Sequence, residues 1–316
     1  MRWSVLTGDR PDSNCLSARP SGMVRGEVAC EVVSWPLDRT PQLLLVTGLG
    51  LFLLGLFHVA VWGFAGGAWE GPVSWRKPIL FGTSIGVTVI SLGWVYTKLN
   101  RRPGDFLFAL LFCLSMTIEV LLITVQQWRG VASHFNRETA FDQWIDLSMT
   151  VAITIAFLFI LAVFRRSFGP LRAAPDMKLA IRAGLSFLVI SCLVGFGLLF
   201  YGHDQITQGG NPSVMGKAGV PKFPHGVAIH AIQWLPLFSW LGLRWGIAEK
   251  KRTRMIVCVV VATALFLLFS MNQTYQGRAR WDMAFSGWIL FSLAIAPLLS
   301  IPFVMATRKS GGWFCR

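Results

Sequence analysis

The residues able to do chemistry in this chain lie in or beside apolar runs. Glu119 sits inside TIEVLLITVQQWRGVASHFN (117–136), a stretch otherwise fit for lipid. An uncompensated charge near mid-bilayer costs on the order of 3 kcal/mol, so it needs a partner, a proton or a function. On a helix Ser115, Glu119 and Gln126 share one stripe, which should face other helices. His58 and His230 each lie about seven residues from the same end of their own runs, roughly 10 Å deep at 1.5 Å per residue. Gln233 follows one turn after His230, Asp146 lies one turn into the next run, and Gln273 ends another. One layer is therefore expected to hold His58, Glu119, Gln126, Asp146, His230, Gln233 and Gln273, with Arg76, Lys77, Arg129, His134, His203 and His225 at its mouth.

Several chemistries suit such a layer. Two histidines facing each other from different helices can ligate a haem b iron, and Arg76, Lys77 or Arg129 can meet its propionates. The chain has no CxxCH, so such a haem is non-covalent. A single metal ion would use His58, His230 and Glu119 with a nearby glutamine, and His134 or His225 as further ligands. His225 reaches that set only if its PxxPH lead-in is not helical, because five helical residues turn it about 140° from His230. Redox chemistry or electron transfer at this cofactor is the leading expectation. A proton-coupled carrier of a small solute would use Glu119, Asp146 and the histidines as a relay. A lipid-modifying enzyme of the outer leaflet would use Glu119 as general base and set Arg129 and Arg76 against a headgroup phosphate. Against all three stands the bland reading that polar groups only join helices, at about 0.6–2 kcal/mol each. Ser84, Thr88 and Ser91 read that way, and Gly82-x3-Gly86 reads as close packing. A carboxylate and two histidines at one depth favour a site.

The elements that must position these residues are membrane spans. The chain has 316 residues, 54% hydrophobic and 14% charged, with a mean hydropathy of +0.57. A soluble protein would carry about a quarter charged residues. Apolar runs predict an all-α bundle with spans at 42–65, 78–98, 105–128, 143–164, 178–201, 225–246, 254–274 and 284–306. Pro236 is expected to kink the sixth. Residues 1–41 read as a flexible cytoplasmic tail, with Met23 an alternative start, and 307–316 as a second tail.

The net charge of +14 comes from 29 Lys and Arg against 15 Asp and Glu. No basic–aromatic module accompanies it, so nucleic acid is not an expected partner; the lipid bilayer is. Lys and Arg number fifteen on the 2–3, 4–5 and 6–7 links and C-terminal tail, against eight on the other loops. That asymmetry predicts an inner-membrane protein with both termini cytoplasmic and the unusual motifs facing outward. The six cysteines, Cys15, Cys30, Cys113, Cys192, Cys258 and Cys315, form no CxxC pair and imply no disulfide framework.

QQWRG (126–130) and QTYQG (273–277) both fit Q-x-[WY]-x-G and suggest two four-helix halves. At SWRKPILFG, QQWRGVASHFN and HAIQWLPL the chain resembles an uncharacterised bacterial family of multi-pass membrane proteins. The shared stretches are W-x-KP (Trp75, Lys77, Pro78), Q-x-x-RG-x-x-SHFN (Gln126, Arg129, Gly130, Ser133, His134, Phe135, Asn136) and H-A-x-Q-x-LP (His230, Ala231, Gln233, Leu235, Pro236). The resemblance implies a similar fold over most of the spans and brings no activity with it.

Overall fold

The computed structural model describes residues 38–302. The expected tails, the Met23 start, and Cys15, Cys30 and Cys315 lie outside the described residues. The helices are α1 (Arg39–Ala65), α2 (Arg76–Lys98), α3 (Asp105–Trp128), α4 (Ala140–Ser167), α5 (Pro175–Thr207), α6 (Lys222–Ile229), α7 (Ala231–Arg244), α8 (Glu249–Tyr275) and α9 (Phe285–Leu299). The described residues contain no strand. Seven spans are long and apolar enough to cross a membrane, counting α6 and α7 as one interrupted span, Lys222–Arg244. Helix α9 is apolar but has 15 residues, about 22 Å at 1.5 Å per residue, short of a hydrocarbon core of about 30 Å. Seven such helices fit a multi-pass membrane protein.

Two features depart from expectation. Span 6 breaks at His230, between α6 and α7, rather than at Pro236, which lies inside an intact α7. The His230 carbonyl accepts from both Gln233 N and Trp234 N, at 3.1 and 3.3 Å, which starts α7 afresh. Helix α5 runs to Thr207, six residues past its expected end.

Packing explains how the helices close. Gly48 and Gly55 of α1 meet Gly82 and Gly86 of α2 so tightly that a Cβ on Gly86 would lie 2.6 Å from Phe52 N. In lipid, where apolar side chains gain little from leaving the solvent, such contact is worth its dispersion energy. Toward the end carrying the basic loops, the bundle is filled by a fully apolar cluster. Phe112 and Phe159 stack there at 4.2 Å among Leu92, Val95, Val163 and Ile181. Toward the opposite, loop-rich end a small apolar cluster, Ile123, Ile145 and Met149 with Phe81 and Leu122 against it, lies on the α3–α4 side, and Phe223, Phe266, Phe269 and Phe291 pack together on the α6–α8–α9 side.

The two Q-x-[WY]-x-G segments share a local cause. In each the glycine, Gly130 or Gly277, takes a left-handed φ of 71° or 66° just past the helix. The following N–H returns to the glutamine carbonyl, Val131 N to Gln126 O and Arg278 N to Gln273 O. This is the Schellman ending, which glycine favours because it has no Cβ. The same pair of bonds ends α5 at Gly209 and α7 at Gly246. The pattern is thus a helix terminator used at four ends and does not by itself mark two repeated halves.

Candidate functional site

The segment 129–139 between α3 and α4 is held by two buried aspartates one turn apart on α4. Asp142 Oδ1 accepts from Gln126 Nε2 at 2.9 Å and Arg129 Nη1 at 2.7 Å, and its Oδ2 accepts from Thr139 Oγ1 at 2.6 Å. Thr139 in turn caps α4, its hydroxyl accepting from Asp142 N at 3.1 Å. Arg129 also reaches Gln126 Oε1 and lies 4.7 Å over the Phe141 ring. Asp146 accepts from Phe135 N and from the Arg137 guanidinium, each at 3.3 Å, and lies 3.6 Å from His203 Nε2. Phe135 takes a positive φ of 60°, and its ring fills the space left by the absent side chain of Gly202 on α5.

These clamps set the neighbouring residue, His134, over Glu119. Its Nδ1 lies 2.9 Å from Ser133 Oγ, and its Nε2 lies 3.9 Å from Glu119 Oε1. Its ring packs at 5.5 Å against Phe81 of α2, so the imidazole bridges α2 and α3. The ring keeps 24% of its surface, yet burial dominates. Burial, with the nearby charges of Lys77 and Lys222 added, pushes the imidazole from the ordinary 6.5 down to about 3 and leaves it neutral. Glu119 is 5% exposed, and its Oε2 has no hydrogen-bond partner. A buried carboxyl oxygen without a donor is uncommon and marks a group that waits for one.

Helix α2 lines the other side. Lys77, Phe81, Ser84 and Thr88 recur at helical spacing along one stripe. Ser84 Oγ meets His230 Nε2 at 3.3 Å, and Thr88 Oγ1 accepts from Gln233 Nε2 at 3.2 Å. Gln233 Oε1 is buried and unpartnered. His230, at the break in span 6, stays exposed. Lys77 bonds the Pro72 carbonyl, and Arg76 pairs with the exposed Glu70 at 3.4 Å. Lys222, on the first residue of α6, has no ion pair among the described residues.

The expected layer thus divides. Glu119 with His134, and His230 with Gln233, gather along the same stripe of α2, with Lys77 at its start and Lys222 within electrostatic reach. His58 does not: its Nδ1 lies 2.8 Å from Leu54 O, its Nε2 accepts from Trp128 Nε1 at 3.2 Å, and Trp75 covers it. Both ring nitrogens are used. His58 also lies on α1, against the glycine face of α2, whereas Ser84 and the His230 it meets lie about 200° around that helix at 100° per residue. The two imidazoles do not face each other, so the pair does not fit a bis-histidine haem. Among the described residues no three of His, Cys, Asp and Glu are grouped to hold a metal ion. His225 lies within helix α6, not in an irregular lead-in, and its Nδ1 is tied to Ser191 O at 2.9 Å. Gln273 binds the carbonyls of Ala279 and Asp282 and belongs to the α8–α9 turn. Arg129, Gln126 and Asp146 hold the 129–139 segment, and Asp146 with Arg137 and His203 also lines a cavity of about 280 Å³ between α4 and α5.

Asp142 and Lys222 stand at this candidate site, and spacing did not single them out. Thr-x-x-Asp (139–142) is a helix-start signal that could have flagged Asp142. Lys222 carries no such signal. Comparison with protein-family models, with curated proteins and with solved structures finds no match for this chain.

Proposed function

We propose that the chain is a proton-coupled carrier of a small solute, crossing a bacterial inner membrane with both termini in the cytoplasm and its loop-rich end outward. The excess of Lys and Arg on the other loops supports that orientation. The observation that carries the reading is the unpartnered carboxyl of Glu119, 3.9 Å from a neutral imidazole, beside a helix that also meets the span interrupted at His230. A carboxyl so placed can take or release a proton as a solute binds, and His134 can pass that proton toward the mouth. Interrupted helices place backbone polar groups at mid-membrane depth, where carriers hold their solutes.

Proteoliposomes enclosing a pH-sensitive dye test this. Small amino acids, phosphate and aminoalkyl phosphates are added outside in turn. At least one should drive solute-dependent proton movement, lost in Glu119→Gln and kept in Asp282→Asn, a change in an exposed ion pair. A solute that binds the wild type without moving protons sinks the carrier.

One observation favours a second reading. The apolar cluster around Phe112 and Phe159 fills the bundle toward the basic loops, and access from one side suits an enzyme acting on an outer-leaflet lipid, with Glu119 or His134 as general base. Mass spectrometry of lipids from the same vesicles would then show a product that Glu119→Gln does not make.

A further inference from the structure

The cluster of polar groups around Glu119 is electrically divided, and the division specifies a ligand class. At its mouth Lys77 and Lys222, on the first turns of α2 and α6, lie within electrostatic reach of each other and of Arg76. The only carboxylate paired with any of the three among the described residues is the exposed Glu70. Two of the unsatisfied buried atoms, Glu119 Oε2 and Gln233 Oε1 on α7, are acceptors on side chains that gather along this stripe of α2. His134 joins the two zones, since it feels both lysines and stands at Glu119. It packs on Phe81, one turn below Lys77, so the zones are separated by about 6 Å of helix rise.

A simple anion would satisfy the mouth and face the Glu119 carboxyl. A simple cation would satisfy Glu119 and pass three positive charges to reach it. The geometry points to a ligand with an anionic group at Lys77, Lys222 and Arg76 and a primary amine, a short carbon chain deeper, donating to Glu119: an aminoalkyl phosphate such as phosphoethanolamine, free or as a lipid headgroup. This deepens the carrier reading and rests on its site, but not on proton movement.

Isothermal titration of the full chain in phosphatidylcholine nanodiscs tests it with four probes: phosphoethanolamine, inorganic phosphate, ethanolamine and phosphocholine, whose quaternary amine has no N–H. Phosphoethanolamine should bind at least about tenfold tighter than each of the others, the worth of one charge-assisted hydrogen bond. Glu119→Gln should bring it down to the affinity of phosphate, and Lys222→Met should weaken phosphoethanolamine and phosphate together. Phosphate binding as tightly as phosphoethanolamine, ethanolamine doing so, or no probe binding to the wild type would each overturn the assignment. The wild-type panel decides even if a variant misfolds. Nanodiscs of phosphatidylethanolamine separate the sources: loss of phosphoethanolamine binding there identifies the lipid headgroup, and unchanged binding identifies the free solute. Tight phosphoethanolamine binding with no proton movement removes the carrier and leaves the ligand class. Proton movement driven by other solutes alone removes the ligand class and leaves the carrier.

Discussion

The two ends of the bundle treat buried charge in opposite ways. At the basic end Asp176 is 1% exposed and takes Arg252 Nε at 2.8 Å, Arg252 Nη2 at 3.1 Å and Ser239 Oγ at 2.7 Å. Asp105 likewise takes Arg166 at 2.6 Å, over the Tyr96 ring. Each carboxylate is matched by a guanidinium, and each pair ties two different helices, α5 to α8 and α3 to α4. At the loop-rich end Asp142 and Asp146 are matched in the same manner, while Glu119 is not. Saturation separates scaffold from site: a charge whose every lone pair is used has no capacity left for a ligand.

That contrast can be broken deliberately. The largest effect is expected at the basic end, where Asp176→Ala or Arg252→Ala strands a buried partner and should cost about 3–5 kcal/mol, read as loss of folded protein and a large fall in Tm. Asp142→Ala releases Arg129, Gln126 and Thr139 together and should cost about 2–3 kcal/mol. It should also free the 129–139 segment, measured as faster hydrogen exchange at residues 131–137, with loss of ligand binding. Glu119→Gln should change stability by less than about 1 kcal/mol, since no hydrogen bond is lost, while abolishing proton-linked activity. If Glu119→Gln destabilises as much as Asp142→Ala, the contrast between the two carboxylates fails.

A separate effect is a pH slope. The folded imidazole of His134 holds its proton only below about 3, whereas an unfolded one does so below about 6.5. Between those values the unfolded chain binds a proton that the fold refuses, so the contribution of His134 is intact above about pH 6.5 and erodes as pH falls toward 3. Tm measured from pH 7.5 to 4.5 should fall less steeply in His134→Gln than in the wild type.

Much of this was legible in the chain. The ends of α3 are those predicted, 105 and 128, because a continuous apolar run bounded by Gly104 and Gly130 leaves little freedom. Glu119 and His134 were legible as residue types. Their company was not, for a definite reason. Position along a helix fixes depth but says little about which neighbours lie on which side. His58 and His230 share a depth and are separated by the body of α2. The choice between Asp142 and Asp146 as partner for Arg129 depends on the turn through Gly130 and Phe135, and no periodicity encodes that turn. The break at His230 was missed because Pro236 is the more obvious breaker, yet a proline whose N–H is missing can be carried inside a packed helix.

The absent side chain of Gly202 reaches beyond its own helix. A methyl group there would overlap the Phe135 ring, and Phe135 is chained to His134 by one peptide bond. Positions 202 and 135 therefore share a single volume, and sequences that keep this site should exchange it as a unit: where 202 grows, 135 should shrink. Gly202→Ala alone would push the ring outward and draw the imidazole off Glu119, and Gly202→Ala with Phe135→Leu should bring it back. A residue that touches no ligand would then act as the set-screw on how far apart the acid and the base stand.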